Sequence, residues 1–120
     1  MTTDAPSRIT LARETPTQPV KDGVVKRVIA DSSTLSVTEY FWDKDHKTVG
    51  DHAHDWDTAN FIVSGTFEVT IGGRTEVLRA GDSYLRAGDS YTIPRGTTRS
   101  MRALEAGSYV LVMSRGHTHD

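Results

Sequence analysis

The sequence predicts a single all-β domain, a jelly roll or small β-barrel, and three observations carry that expectation. Short runs alternate apolar and polar side chains, the period of a half-buried strand. Glycine, proline and Asp/Ser clusters punctuate these runs at close spacing. Nowhere do apolar residues recur at i, i+3, i+4 and i+7 over three turns, so no long helix is expected. A chain of 120 residues has single-domain length and buries a core without staples.

In chain order, residues 1–23 hold Pro6, Pro16 and Pro19 and little periodicity, and read as an extended arm, loose or laid along the body or a partner subunit. Residues 24–115 form the barrel and 116–120 a C-terminal tail. VVKRVIA, from Val24, is rich in β-branched residues, and the Asp31-Ser32-Ser33 turn signal makes it a hairpin with TLSVTEYFW. The second strand places Leu35, Val37, Glu39 and Phe41 on one face and Thr34, Ser36, Thr38, Tyr40 and Trp42 on the other. DKDHKTVGD is a polar loop. ANFIVSG reads as a strand closed by Gly65, TFEVTIGG as the next, turning at Gly72-Gly73 into RTEVL. SYTIPRGT is a short strand entering a proline–glycine turn. RSMRAL and SYVLVMS are the last two strands.

Between RTEVL and SYTIPRGT, RAGDSYL is followed at once by RAGDSYT. Two copies are too few for a solenoid. An odd-numbered insertion inside a strand would turn every later side chain to the opposite face, so the extra copy is expected in a loop or bulge.

The net charge of −2 includes no large basic patch, which argues against a nucleic-acid partner. No apolar run is long enough to span a membrane, and the first residues show no charged segment leading an apolar one. A cytoplasmic protein is the expectation. With no cysteine there are no disulfides or thiolate ligands, so any metal must be held by His, Asp or Glu, which suits Fe, Mn, Ni, Co or Zn.

The chemistry-bearing stretch is GDHAHDWDTANFIVSG, residues 50–65. Its histidines, His52 and His54, stand one residue apart, so on a strand both imidazoles point to one side, as two ligands of a metal would. A second H-x-H, His117 and His119, lies in the polar tail and carries no such expectation.

Two separated motifs resemble those of the cupins, small β-barrels built around a central site. The first reads G-x5-H-x-H-x3/4-E-x6-G in the family. Here His52, His54, Thr58 and Gly65 fit its spacing, with His46 at the leading glycine. The second reads G-x5-P-x-G-x2-H-x3-N, matched by Gly88, Pro94, Gly96, Arg99 and Ala103. The resemblance covers about residues 34–114. It implies the cupin barrel, and in its metal-binding members a site of three histidines and one glutamate. Thr58 stands where that glutamate would be and Arg99 where the third histidine would be, so only His52 and His54 carry over as metal ligands.

A guanidinium neither ligates a metal nor loses its proton at working pH. Pointing inward about 5 Å from a divalent ion, Arg99 would oppose it by roughly 6–7 kcal/mol at an effective dielectric of about 20. Either no metal binds, or an anion lies between them, or Arg99 turns outward. Asp57 is the best-placed extra carboxylate, although strand alternation directs it away from the interior unless a bulge turns it in. Parity from Thr58 puts Asn60 and Ile62 on the interior face, and parity from Arg99 adds Met101 and Ala103. Thr58, Asn60 and Arg99, with Tyr40 as aromatic wall, suit a small polar or anionic organic ligand.

Two readings remain open. One is an enzyme of the cupin kind, an oxygenase, isomerase or lyase, with a divalent transition metal on His52, His54 and Asp57; both histidines standing at their expected positions tips the balance this way. The other is a metal-free ligand-binding or non-catalytic barrel. Outward Phe61 and Val63, together with the arm, suit a homodimer.

Overall fold

The computed structural model describes residues 9–32, 34–48, 56–81 and 88–114. His52, His54, His117 and His119 lie outside the described residues. Among the described residues a 3-10 turn at Ala12–Glu14 precedes seven strands: β1 Gln18–Lys21, β2 Val24–Asp31, β3 Leu35–Trp42, β4 Thr58–Ile71, β5 Arg74–Arg79, β6 Ser90–Ile93 and β7 Arg99–Ser114. All pairings are antiparallel, in the order β1-β2-β3-β7-β4-β5, with β6 also on β4. The all-β, jelly-roll-type single domain expected from the alternation is what forms, as one open sheet curled on itself.

Two expected boundaries are absent. ANFIVSG and TFEVTIGG are one strand, β4, and RSMRAL and SYVLVMS are one strand, β7. Gly65 reads as a terminator in the sequence, and Gly107 falls in the gap between RSMRAL and SYVLVMS, yet both sit inside strands. The ladder between β4 and β7 runs from Thr58↔Met113 to Ile71↔Arg99, with register shifts between Ile62 and Phe67. The bulges change which parity faces inward. Thr58, Asn60 and Ile62 are buried before them, Phe67 and Val69 after them.

The bend needs two glycines. Gly65 has φ +77°, a conformation L side chains avoid. A Cβ on Gly107 would fall 2.2 Å from the Ser64 carbonyl oxygen, and one on Gly65 would fall 2.6 Å from that of Ala106. Backbone meets backbone here, so neither side can yield. Ser64 and Ser108 bracket the crossing, the Ser108 N–H donating to Ser64 Oγ at 3.0 Å and the Ser108 hydroxyl to Glu39 at 2.9 Å.

The half-strands before and after the bend enclose a core of Trp42, Ile62, Phe67, Val69, Met101, Ala103 and Tyr109. Phe67 and Ile62 are fully buried, each contributing about 2–3 kcal/mol. Tyr109 stacks on Tyr40 (5.5 Å between centroids, 22°) and meets the edges of Trp42 and Phe67. The β4–β5 hairpin turns at Gly72-Gly73, both with positive φ, the two-residue turn the sequence predicts.

β5 and β6 pair successive stretches of the same edge of β4. The chain joining them is closed at its base: Asp89 N–H donates to the Arg79 carbonyl (2.9 Å), and Arg79 N–H to Asp89 Oδ2 (2.7 Å). Gly81 and Gly88, equivalent positions of the two repeat copies, lie side by side there. Residues 82–87 fall outside the described residues. Residues 18–21, read from sequence as part of the arm, pair along β2, and Arg27 Nε donates to the Thr15 carbonyl at 2.9 Å. Phe61 and Val63 face outward, 48% and 44% exposed. Among the described residues no helix is long and apolar enough to cross a membrane.

Gly107→Ala is expected to lower stability by about 2 kcal/mol or more through forced overpacking. Gly73→Ala has positive φ but open space around it and should cost only about 1 kcal/mol. Urea unfolding of the two variants against the wild type checks the difference.

Candidate functional site

A cavity of about 410 Å³ opens between the β1–β2 hairpin, β3 and the outer ends of β4 and β7. Its walls follow from strand parity. On β3 the polar face turns inward: Ser36 and Thr38 are buried and line the cavity beside Tyr40 and Trp42. On the other face Leu35 is 46% exposed, and Val37 and Phe41 are half-buried. A barrel that buried only apolar side chains would have chosen the reverse. Small hydroxyls held inside must find partners, and a cavity offers water or a ligand.

Three of the ligand-binding candidates meet here. Tyr40, Thr58 and Arg99 all line the cavity. Asn60 lies behind Thr58, 2% exposed; its Nδ2 donates to Thr58 Oγ1 at 3.2 Å while its Oδ1 is buried with no partner among the described residues. Asp57 is not brought to the cavity. It is exposed on the opposite side of the strand, where its Oδ1 accepts the Arg95 N–H at 2.8 Å and holds the turn that leads into β7. That is the direction strand alternation predicts in the absence of a bulge.

Arg99 faces the interior, which settles one of the three alternatives posed by the sequence. It lines the cavity with Tyr109 and a smaller pocket with Tyr91. Burial holds both tyrosine hydroxyls well above their usual pKa, and the Arg99 charge opposes that rise in each. Both therefore stay protonated through the physiological range and can act as hydrogen-bond donors; the Tyr91 hydroxyl already donates to Met101 Sδ at 3.2 Å.

Lining residues that sequence reasoning passed over include Lys21 of β1, Lys26 of β2, and Trp56 at the mouth. Lys26 carried a readable signal, since it shares a strand face with Val24 and Val28, where a buried strand calls for an apolar residue. Ser36 and Thr38 shared a face with two aromatics, which hid the fact that this face was the inner one.

Among the described residues no three His, Asp or Glu side chains come together. Asp57 points away, Thr58 stands at the carboxylate position and Arg99 brings a positive charge inward, so the described residues do not fit a metal centre.

His46, at the first motif's leading glycine, packs edge-on against Trp42 (4.8 Å, 86°), and its Nε2 is buried without a partner among the described residues. Burial, then the Lys21 ammonium, lowers its pKa below the usual value, against the pull of Asp43. Above about pH 6.5 this imidazole is neutral in folded and unfolded chain alike. Below that the unfolded chain takes up a proton the folded one resists, so stability falls with pH. The melting temperature should drop between pH 7 and pH 5, and His46→Gln should lose less over the same interval in parallel thermal scans.

A family model described as a cupin domain, Cupin_2, matches residues 42–85. Over 74 residues the chain is 32% identical to the pectin degradation protein KdgF of Dickeya dadantii, covering 60% of this chain and 66% of that protein's length. In fold it is similar to KdgF from Halomonas sp. (TM-score 0.78, 24% identity, 93% of this chain and 96% of that one). It is similar also to an RmlC-like cupin from Shewanella frigidimarina (TM-score 0.79, 20% identity, 93% and 94%). With its strand order and the spacing of both motifs in agreement, the chain belongs to the cupin superfamily.

Proposed function

We propose that this protein binds a small, hydroxyl-bearing organic anion in the barrel cavity, with Arg99 holding an acidic group. The observation that carries the reading is the inward guanidinium in a cavity lined by cations, buried hydroxyls and aromatic rings. A guanidinium fork matches a carboxylate, Ser36, Thr38 and Thr58 suit ligand hydroxyls, and Tyr40 and Trp56 offer flat surfaces to a ring. The cavity volume falls in the range of small-molecule sites. Similarity to a pectin degradation protein supports sugar acids as the first class to test, because pectin is a polymer of carboxylated sugars.

Titration calorimetry with galacturonate and with galactose tests the reading. The acid should bind more tightly than the neutral sugar. Arg99→Met should weaken the acid tenfold or more, the scale of a lost charge-assisted hydrogen bond, and leave the neutral sugar unaffected. Indifference of the acid to Arg99 would sink it.

The rival reading, a metal-dependent cupin enzyme, rests on His52 and His54, outside the described residues. Elemental analysis of untagged protein beside a His52→Ala, His54→Ala double variant decides between them. The expected outcome is no stoichiometric transition metal in either sample after reconstitution; a near-stoichiometric ion lost in the variant would establish the metal centre instead. The homodimer through the Phe61–Val63 face is likewise a proposal, decided by light scattering at micromolar concentration.

A further inference from the structure

Lys26 sits on the inner face of β2 between Val24 and Val28, and all three line the cavity. Its side chain is half-buried and makes no hydrogen bond or ion pair with any described residue. A lysine with no structural partner ordinarily extends its ammonium into water, and a charge kept partly from water calls for a counter-charge.

Register fixes what lies next to it. Lys26 pairs with Tyr40 across β2 and β3, and Tyr40 pairs with Tyr109 across β3 and β7. At strand spacings near 4.8 Å, the Lys26 backbone is about 10 Å from that of Tyr109. The two tyrosine rings stack between them. Arg99 reaches Tyr109 from the other half of the curled sheet, where it pairs with Ile71. A stacked aromatic pair thus has a lysine toward one side and an arginine toward the other. Among the described residues lining the cavity, Lys21, Lys26 and Arg99 are cationic and Asp31 is anionic.

We propose that Lys26 contacts the ligand and sets its specificity, so that together with Arg99 it selects an organic dianion: a hydroxylated diacid lying along the Tyr40–Tyr109 stack with one acidic group toward each cation. This deepens, and rests on, the reading of the cavity as an organic-anion site. A diacid reaches both cations at once, one from each side of the stacked rings, whereas a monoanion reaches only one of them. It also makes the N-terminal hairpin part of the site, since β1 and β2 supply Lys21 and Lys26.

The test is calorimetry at low ionic strength with gluconate and glucarate, which share a six-carbon polyhydroxy chain and differ in having one or two carboxylates. Galacturonate is run alongside. Wild-type protein should bind glucarate at least tenfold more tightly than gluconate. Lys26→Met should bring glucarate to within about threefold of gluconate, and Lys26→Arg should keep the preference. Both variants should melt with the wild type, because Lys26 supports no other residue. Equal affinity of wild type for the two acids, or an unchanged preference in Lys26→Met, would overturn the dianion proposal and leave the Arg99 reading standing if galacturonate binds. Absence of binding by all three acids would overturn both.

Discussion

Everything in this barrel depends on the contact of Gly65 with Gly107. β4 and β7 are too long to stay in one flat layer and must bend together if their apolar halves are to meet. The bend is possible only where two backbones touch without side chains between them. Remove that contact and each half-strand would present its own inner face to water. Kept, it brings Phe67, Val69 and Met101 of one half over Ile62, Tyr109 and Trp42 of the other. The same bend carries Arg99, at the start of β7, back over the interior toward Tyr91 and Tyr109. The site is therefore a consequence of the fold's tightest steric constraint.

The interior is divided in function. Around Phe67 and Trp42 it is a packed aromatic and aliphatic core, with edge-on rings each worth about 0.5–1.5 kcal/mol beyond burial. Toward the outer ends of β3 and β4 it becomes polar, with Ser36, Thr38, Thr58 and Asn60 buried. Four buried polar side chains contribute less to stability than aliphatic ones of similar size, and the Asn60 Oδ1 has no partner among the described residues to offset its burial. Arg27, bonded to the Thr15 carbonyl and lying over Phe41 near Glu39, secures the wall that supplies the lysines. Stability is concentrated at one end so that the other can stay polar and open.

How much of this was legible depended on whether the signal was local. Period-two alternation placed Thr58, Asn60, Ile62, Met101 and Ala103 inside and turned Asp57 and Phe61 outward, because parity is a property of a few adjacent residues. Gly72-Gly73 announced its hairpin for the same reason. Gly65 misled, since a glycine that ends a strand and one that lets it bend look alike until the partner, Gly107, about forty residues away, is known. The inner face of β3 was ambiguous: both faces carry aromatics, and only the half of the sheet that curls over Trp42 decides which is covered. Lys26 was missed because a lysine among valines passes for an edge residue until a cavity is found on its side of the strand.

Arg99 changes the sign of the site more than its shape. The resemblance leads one to expect four metal donors converging on a point, an arrangement that collects positive charge. Here the position of the third histidine holds a fixed cation, the position of the glutamate a neutral hydroxyl, and the neighbouring wall adds Lys21 and Lys26. Within about 5 Å that guanidinium would work against a divalent ion by roughly 6–7 kcal/mol and in favour of an anion by about half as much per charge. On the reading proposed above, an anion that came between the two would itself be the ligand Arg99 holds. The described lining residues then favour negative charge, and the barrel would keep its architecture while exchanging the kind of partner it attracts.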